Sequence, residues 1–388
     1  MSRPPAKASL PEPAPFARAH SERLMATIRD AMEAAGGWIS FARYMELALY
    51  APGLGYYTAG AEKLGAAGDF VTAPEISPLF ARTLARQAAE ILAATGGSIL
   101  ELGAGSGRLA AELLLALEAL DALPERYAIL EVSADLQARQ RECIAAAAPH
   151  LLARVAWLSE LPKRWRGLVF ANEVLDALPV HLVVNVDGTW RERGVTWDGG
   201  LRWRDSPALP TALAAATAAL PDQTGYLTEI NLAGPKLTAA LAQVLEAGTL
   251  LFIDYGFGRR EYYHPQRSAG TLMCHYRHHV HDDPFFLPGL QDITAHVEFT
   301  SIAEAGISQG LALQGYATQA RFLVNCGITG LMQSVPVEDT ANYLPMVAGV
   351  QKLLSPSEMG ELFKVIALGR GVELPLTGFT AGDLSRLL

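Results

Sequence analysis

Short apolar runs recur along the second part of the chain, and segments with helical spacing separate them. The runs occupy residues 98–102 (SILEL), 127–132 (YAILEV), 154–157 (RVAW), 167–173 (GLVFANE) and 249–254 (TLLFID). Apolar runs that alternate with helices are typical of strands in a mostly parallel sheet with helices on both faces. The pattern therefore predicts an α/β fold.

The N-terminal part has a helical pattern instead. Helices are expected over residues 16–35 and 40–50, and another is expected to begin near Pro74. The apolar stripe of the first helix consists of Leu24, Ile28 and Met32. The segment 53–75 is rich in glycine and longer than a simple connection, which is typical of a binding loop or lid. We therefore expect an N-terminal helical and lid region over residues 16–97.

The strand–helix alternation is interrupted by a β-rich stretch over residues 181–205. Two Asp-Gly pairs, at 187–188 and 198–199, separate its apolar runs, and such pairs are the strongest short signal for hairpin turns. An alanine-rich segment and a helix then return the chain to the sheet. Residues 181–230 are therefore expected to form an inserted β-meander and helical subdomain that walls a substrate cleft.

The C-terminal part begins a further predicted helix at Ser355. The sequence Ser-Pro-Ser-Glu (355–358) has the form of a capping box with proline at the first helical position. The residues expected on its inner face are Met359, Leu362, Phe363 and Ile366. The chain then divides into a disordered tail (1–15), the N-terminal region (16–97), a sheet core (98–180 and 231–325), the insertion (181–230) and a C-terminal helical segment (326–388).

Composition restricts the classes of partner. The 388 residues are 50% hydrophobic and carry a formal net charge of −9, which suits a large core and argues against a nucleic-acid partner. The three cysteines are widely spaced and indicate a reducing compartment. No apolar run is long enough to span a membrane, and the start does not resemble a secretory signal. A cytoplasmic location is expected, or the mitochondrial matrix if the source is eukaryotic.

Three glycines follow the first predicted strand at every second position, in ILELGAGSGRLA. They are Gly103, Gly105 and Gly107. A dinucleotide fingerprint has its third glycine one position later, where this chain has Arg108, and it brings a pyrophosphate that Glu101 would repel. S-adenosylmethionine has no phosphate and carries two cationic groups, so Glu101 favours it. A glycine-rich turn without ligand and a nicotinamide or flavin site are the alternatives.

A second carboxylate ends the next predicted strand. Glu131 lies in ILEVSADL and can accept hydrogen bonds from both ribose hydroxyls of a nucleoside, as an acidic residue does after a dinucleotide loop. The alternative is an acid at a helix N-terminus beside Ser133.

Polar side chains also follow the predicted strand at 167–173. Asn172, Glu173 and Asp176 lie where ligands bind in open α/β sheets, in the crevice outside the carboxyl ends of the strands. Asp176 alone could instead cap a helix. We expect Asn172 to contact the cofactor.

Several long motifs together resemble the MidA family of S-adenosylmethionine-dependent methyltransferases. These motifs are GDFVTAPEIS (68–77), ELGAGSGRL (101–109), NEVLDALPVH (172–181), FIDYG (252–256) and the stretch 270–299. The resemblance implies a class I methyltransferase (Rossmann-like) fold and a link to assembly of respiratory complex I. The mitochondrial member of the family is described as a protein arginine methyltransferase that symmetrically dimethylates a complex I core subunit.

The resemblance also implies roles for individual residues. Gly103, Gly105, Gly107 and Glu131 would hold S-adenosylmethionine, and the segment GDFVTAPE would close over it. The candidate contacts in that segment are Asp69, Thr72 and Glu75. The implied partner is a protein substrate such as a complex I subunit, and a homodimer stays open.

Arginine is a poor nucleophile because its guanidinium has a pKa above about 12. A carboxylate that binds the guanidinium, orients one nitrogen and accepts its proton avoids prior deprotonation. Glu173, Asp176 and Asp254 are the candidates, although Asp254 could equally be a turn residue held by its own backbone. By resemblance of the motif DITAHVEF, His296 is a candidate general base; the alternative is a buried histidine bonded to backbone.

A cluster of metal-ligand residue types lies within the stretch 270–299. It consists of Cys274, His275, His278, His279, His281, Asp282 and Asp283. The spacing matches no established metal motif, so no metal is expected. Packing or hydrogen bonding within a loop is the favoured role, and metal binding and substrate contact are the alternatives. Rival interpretations of the whole chain are a non-catalytic assembly chaperone that binds S-adenosylmethionine, a small-molecule methyltransferase and, least favoured, a nicotinamide oxidoreductase.

Overall fold

A computed structural model of the chain describes residues 10–59 and 72–388. The strands of its main sheet are β2 (Ser98–Leu102), β3 (Tyr127–Leu130), β4 (Val155–Leu158), β5 (Trp165–Asn172), β10 (Leu245–Phe257), β14 (Val297–Glu298), β15 (Ala312–Thr318) and β16 (Phe363–Arg370). Their order in the sheet is β15-β16-β10-β5-β2-β3-β4, and β14 adds to one end of β10. Five neighbouring strands, β10, β5, β2, β3 and β4, run parallel to one another. The strand β16 lies between β10 and β15 and is antiparallel to both. The predicted mostly parallel sheet is confirmed.

Helices cover both faces of this sheet. The α-helices of the described chain, including those that pack elsewhere, are α1 (Pro15–Ala34), α2 (Phe41–Tyr50), α3 (Ala73–Ile76), α4 (Pro78–Thr95), α5 (Arg108–Ala119), α6 (Ala134–Ala147), α7 (Thr211–Thr217), α8 (Ala233–Val244), α9 (Arg259–Tyr262), α10 (Phe299–Ser308), α11 (Gln319–Asn325), α12 (Ile328–Met332) and α13 (Thr340–Leu354). Successive strand residues point to opposite faces. Ile99 accordingly packs with α4 and α5 in one core, whereas Leu100 packs with α8 and α10 in another.

Two smaller sheets stand beside the main one. The first comprises β1 (Ile39–Ser40), β6 (His181–Val186), β7 (Thr189–Trp197), β8 (Leu201–Asp205) and β9 (Leu227–Ile230), and the second comprises β11 (Met273–Tyr276), β12 (His279–His281) and β13 (Asp292–Thr294). The predicted meander is present, with turns at both Asp-Gly pairs. The buried stripe of α1 packs with α2 and with both small sheets in a third core. No described helix is long and apolar enough to cross a membrane.

The prediction of a helix after Ser355 is wrong. Residues 355–362 form turns, and Phe363–Arg370 is the strand β16, which lies inside the main sheet. The run FKVIALG is buried on both faces, and a short run of this kind cannot be assigned to helix or strand by its spacing alone. The main sheet therefore extends to residue 370, and the segment 326–388 is not wholly helical.

Candidate active site

A cavity of about 660 Å³ opens at the carboxyl ends of β2, β3 and β5. Residues from these three strand ends, from the end of α2 and from α3 form its walls. Ligand pockets in proteins typically have volumes of about 300–1,000 Å³. The cavity is therefore large enough for a nucleoside-containing ligand together with part of a second molecule.

The loop of residues 103–107, here called the glycine loop, forms one wall of the cavity. Its glycines have backbone conformations that other residues rarely adopt. Gly103, Gly105 and Gly107 have φ angles of 62°, 53° and 83°. A Cβ atom on Gly103 would lie 3.0 Å from Cγ2 of Val174, and one on Gly107 would lie 2.8 Å from the Cα atom of Gln140. Both backbone conformation and close packing therefore require glycine at positions 103 and 107.

Glu131 lies in the cavity wall, and a buried glutamine holds it there. Nε2 of Gln140 donates to Oε2 of Glu131 at 3.1 Å and also to the carbonyl oxygen of Gly105 at 3.1 Å. The other side of the Gln140 amide accepts a hydrogen bond from Nε1 of Trp157 at 3.0 Å, which fixes its orientation. The amide of Gln140 thus connects the glycine loop to the carboxylate. Sequence reasoning missed this residue, because a glutamine inside a helix gives no signal of its own.

Glu101 lines the same cavity at the end of β2 and is 2% exposed. Its Oε2 accepts a hydrogen bond from the Tyr127 hydroxyl at 2.7 Å. Burial raises the pKa of Glu101 to about 8. A cationic ligand in the cavity would favour the charged form of this carboxyl group.

Two of the three residues predicted to close over the cofactor line the cavity. Thr72 precedes α3, and Glu75 within α3 accepts hydrogen bonds from the Ser106 hydroxyl at 2.6 Å and from Nη1 of Arg108 at 3.1 Å. Glu75 thereby ties α3 to the glycine loop. Asp69, the third, lies outside the described residues.

The turn after β5 presents Glu173 to the cavity. Glu173 has a φ angle of 53°, and its backbone N–H donates to the carbonyl oxygen of Ile253 at 2.9 Å. Its Oε1 accepts from Nδ2 of Asn172 at 3.0 Å and from the backbone N–H of Ala73 at 3.3 Å. Among the described residues, nothing donates to Oε2. Burial, together with the nearby charge of Asp176, raises the pKa of Glu173 to about 8.

Asp254 holds this turn through hydrogen bonds and does not line the cavity. Its Oδ2 accepts hydrogen bonds from the backbone N–H groups of Val174, Leu175 and Asp176 at 3.2, 2.9 and 3.2 Å. Its Oδ1 accepts from the N–H of Tyr255 at 2.9 Å, and the residue is 1% exposed. The geometry assigns Asp254, which lies within β10, to positioning the turn after β5, so it is neither a guanidinium ligand nor a turn residue held by its own backbone.

Asp176 lies behind Glu173 and also does not line the cavity. Its Oδ2 accepts from the Tyr255 hydroxyl at 2.6 Å, whereas its buried Oδ1 has no hydrogen-bond partner in the described part of the chain. Burial raises the pKa of Asp176 to about 6. Asp176 is therefore placed to act on Glu173 through its charge.

His296 is not brought to the cavity. Its ring packs against Tyr255 and Phe257 at centroid distances of 5.1 and 5.3 Å, and its backbone N–H donates to the Thr271 hydroxyl at 3.0 Å. Burial lowers the pKa of His296 to about 4, so the ring is neutral at pH 7. The position does not support a general base. The alternative of a ring bonded to backbone is not seen either, because the buried Nδ1 has no hydrogen-bond partner in the described part of the chain.

The cysteine and histidine cluster forms a hairpin of β11 and β12 instead of converging. Cys274 pairs with His281 across the hairpin, and its turn contains Arg277 and His278 at positive φ angles. Within residues 10–59 and 72–388, no group of three or more potential ligands is arranged to hold a metal ion.

S-adenosylmethionine fits the cavity by the chemistry of its walls. Glu131 supplies acceptor oxygens for ribose hydroxyls, Glu101 supplies a carboxyl group for a cationic centre, and the glycine loop lets the backbone approach a ligand closely. Oδ1 of Asn172 is buried with no hydrogen-bond partner in the described chain, so it is available to a donor on the ligand.

Comparison with known proteins agrees with this chemistry. The model of a family described as "Putative S-adenosyl-L-methionine-dependent methyltransferase" matches residues 83–317. The Danio rerio protein named protein arginine methyltransferase NDUFAF7, mitochondrial, is 30% identical, over 89% of this chain and 90% of its own length. The Homo sapiens protein of that name is 29% identical, over 86% of this chain and 80% of its own length.

Two crystal structures of Burkholderia thailandensis proteins resemble the whole chain. One of them is bound to S-adenosyl-homocysteine. It is 52% identical to this chain with a TM-score of 0.96, and the match covers 98% of this chain and 100% of that chain. The other, a native structure, is 51% identical with a TM-score of 0.93 and the same coverage.

Proposed function

This chain belongs to the S-adenosyl-L-methionine-dependent methyltransferase family, as its motifs predict, and from this premise we propose that it methylates an arginine side chain of a protein. The family membership makes the chain an enzyme with S-adenosylmethionine as cofactor. The names of the Danio rerio and Homo sapiens relatives support arginine as the acceptor. We extend the proposal to a subunit of respiratory complex I, which the resemblance to the MidA family implies.

The residues that would hold the cofactor are the glycine loop, Glu131 and Glu101. When bound, S-adenosylmethionine supplies an electrophilic methyl group on its sulfonium. Gln140 keeps Glu131 and the loop at a fixed separation, so that the cofactor site needs little rearrangement. Accurate positioning of two reactants can contribute about 7–11 kcal/mol to lowering a barrier.

The position of Glu173 is the observation that best supports arginine as the methyl acceptor. Its Oε2 is unpartnered among the described residues and its carboxyl group lines the cavity, where it can bind a guanidinium and orient one nitrogen. Methylation removes one proton from the guanidinium nitrogen, and Glu173 accepts that proton. Burial raises the pKa of Glu173 in the empty site, and a guanidinium bound beside it favours the charged form of the carboxyl group, which can then accept the proton.

The test is transfer of labelled methyl groups to proteins from cells that lack this gene. After incubation with the purified chain and labelled S-adenosylmethionine, the proteins are hydrolysed and the labelled amino acids identified. We expect labelled methylarginine with the wild-type chain and a loss of about a hundredfold with Glu173→Gln. Label in another amino acid, or only in small molecules, would contradict the proposal.

A further inference from the structure

Two tyrosines stand in the cavity wall, and the hydroxyl group of each donates a hydrogen bond to another residue of the chain. Tyr50 ends α2, and its hydroxyl donates to the carbonyl oxygen of Ala177 at 3.0 Å. Tyr57 follows seven residues later, and its hydroxyl lies 3.0 Å from each carboxylate oxygen of Asp292. Both residues line the cavity. The Tyr57 hydroxyl donates to Asp292, which does not line the cavity, so the part of Tyr57 that contributes to the wall is its ring.

The two rings form one aromatic surface. Their centroids are 5.5 Å apart and their planes are inclined by 23°. Tyr56 packs edge-on against Tyr57 at 5.1 Å. Since each ring is held by a hydrogen bond at its tip and by a neighbouring ring, the surface is rigid.

This surface belongs to the acceptor side of the cavity. Ala177, which accepts from Tyr50, is in the same turn as Glu173. The backbone N–H of Ala295, just beyond β13, donates to the carbonyl oxygen of Asp176 at 3.0 Å and so ties the strand that carries Asp292 to that turn. Asp292 is also close enough to Glu173 for its charge to act on that carboxyl group.

Negative charge behind an aromatic ring suits a planar cation. The Asp292 carboxylate accepts a hydrogen bond from the Tyr57 phenol, and this makes the ring richer in electrons. A guanidinium is flat, weakly hydrated and stacks on aromatic faces, whereas an ammonium is a compact and strongly hydrated point charge. An aromatic surface beside a carboxylate therefore distinguishes arginine from lysine.

We propose that Tyr57 is a specificity-determining residue of the acceptor site and that Asp292 is its positioning residue, together selecting a guanidinium over an ammonium. The inference rests on the proposed function, since it concerns the acceptor of the same reaction. Neither residue carries a sequence signal for this role.

Small cations test the inference without a protein substrate. Binding of ethylguanidinium and of butylammonium to the chain saturated with S-adenosylhomocysteine is measured by calorimetry. We expect the wild-type chain to prefer ethylguanidinium by about tenfold. Tyr57→Leu removes the ring and is expected to abolish the preference, whereas Tyr57→Phe and Asp292→Asn are expected to reduce it. S-adenosylhomocysteine is kept at a saturating concentration for each variant, so that the comparison reports only the binding of the small cations.

Tyr44→Phe is the matched control. The Tyr44 hydroxyl is also buried and donates to a carbonyl oxygen, that of Pro284, but Tyr44 does not line the cavity. This variant should keep the full preference. Equal preference in the wild type and in Tyr57→Phe and Asp292→Asn, or no preference in the wild type, would overturn the inference. The proposed function is tested separately, by labelled methylarginine, so its failure is distinguishable.

Discussion

Gln140 donates a hydrogen bond from its amide nitrogen to the Glu131 carboxylate at 3.1 Å, from a position that is completely buried. The same nitrogen donates to the glycine loop, and Trp157 holds the opposite side of the amide. One side chain therefore sets the distance between the glycine loop and Glu131, the two parts of the site that we propose hold the methionine and ribose portions of the cofactor.

Replacement of Gln140 by leucine should weaken cofactor binding. The variant removes the donor shared by the Gly105 carbonyl oxygen and Oε2 of Glu131, and it removes the acceptor of the Trp157 indole N–H. An unsatisfied buried group costs about 1–3 kcal/mol. We expect the affinity for S-adenosylhomocysteine, measured by calorimetry, to fall by about tenfold or more.

Gln87→Leu provides the control for this prediction. Gln87 is also completely buried and donates to a carboxylate, that of Glu90 at 2.8 Å, yet it does not line the cavity. This variant should lose stability while keeping its affinity for S-adenosylhomocysteine. An equal loss of affinity in both variants would show that Gln140 acts only through general stability.

Alanine at Gly107 should be more damaging than alanine at a glycine with open space around it. Gly188 has a φ angle of 81°, and a Cβ atom added there would meet no atom within 4 Å, so Gly188→Ala should cost only the backbone strain, about 1–2 kcal/mol. Gly107→Ala adds a clash with the Gln140 backbone and should also lower the affinity for S-adenosylhomocysteine. Urea denaturation and calorimetry measure the two effects, and equal behaviour of the two variants would contradict this account.

The stability of the fold should respond to pH through Glu173. Its pKa is about 8 in the folded chain, against about 4.3 in an unfolded one, so between these values the folded state binds more protons. The stabilisation of the fold by protonated Glu173 is therefore complete below about pH 4.3, the unfolded pKa, and is lost as the pH rises to about 8, the folded pKa. Glutamine does not titrate, so the melting temperature of Glu173→Gln relative to wild type should rise from pH 5 to pH 8. A difference that is constant with pH would contradict the raised pKa.

Two variants of Asp254 test whether this residue positions the turn or takes part in the reaction. In Asp254→Asn the amide oxygen can still accept the three N–H groups of the turn, so methyl transfer should persist. Asp254→Ala removes these acceptors, frees the turn that carries Glu173, and should reduce the rate by about a hundredfold. Labelled methyl transfer measures both. An equal and complete loss in the two variants would show that the charge of Asp254 takes part in the reaction.

Features that depend on local order along the chain can be predicted from the sequence. The strands around 98–102 and 167–173 and the glycine loop are predicted correctly, because apolar runs and glycine spacing encode them directly. The strand β16 is not predicted correctly. Its position between β10 and β15 depends on tertiary contacts, and a short buried run does not specify these.

The hydrogen bonds that position the site are the part that sequence could not predict. Asp254, Gln140 and Asp292 act on residues between 9 and 235 positions away in the chain. Carboxylates near strand ends could be identified as candidates, but only the fold separates Glu173, which reaches the cavity, from Asp254, which holds its turn.

The most direct test of the central claim is a comparison of methylated arginines in cells with the wild-type gene, without it, and with Glu173→Gln. Tandem mass spectrometry of the whole protein complement identifies each modified residue. The account predicts at least one protein with a methylated arginine that is present with the wild-type gene and missing in both other strains. Identical arginine methylation in all three would contradict it.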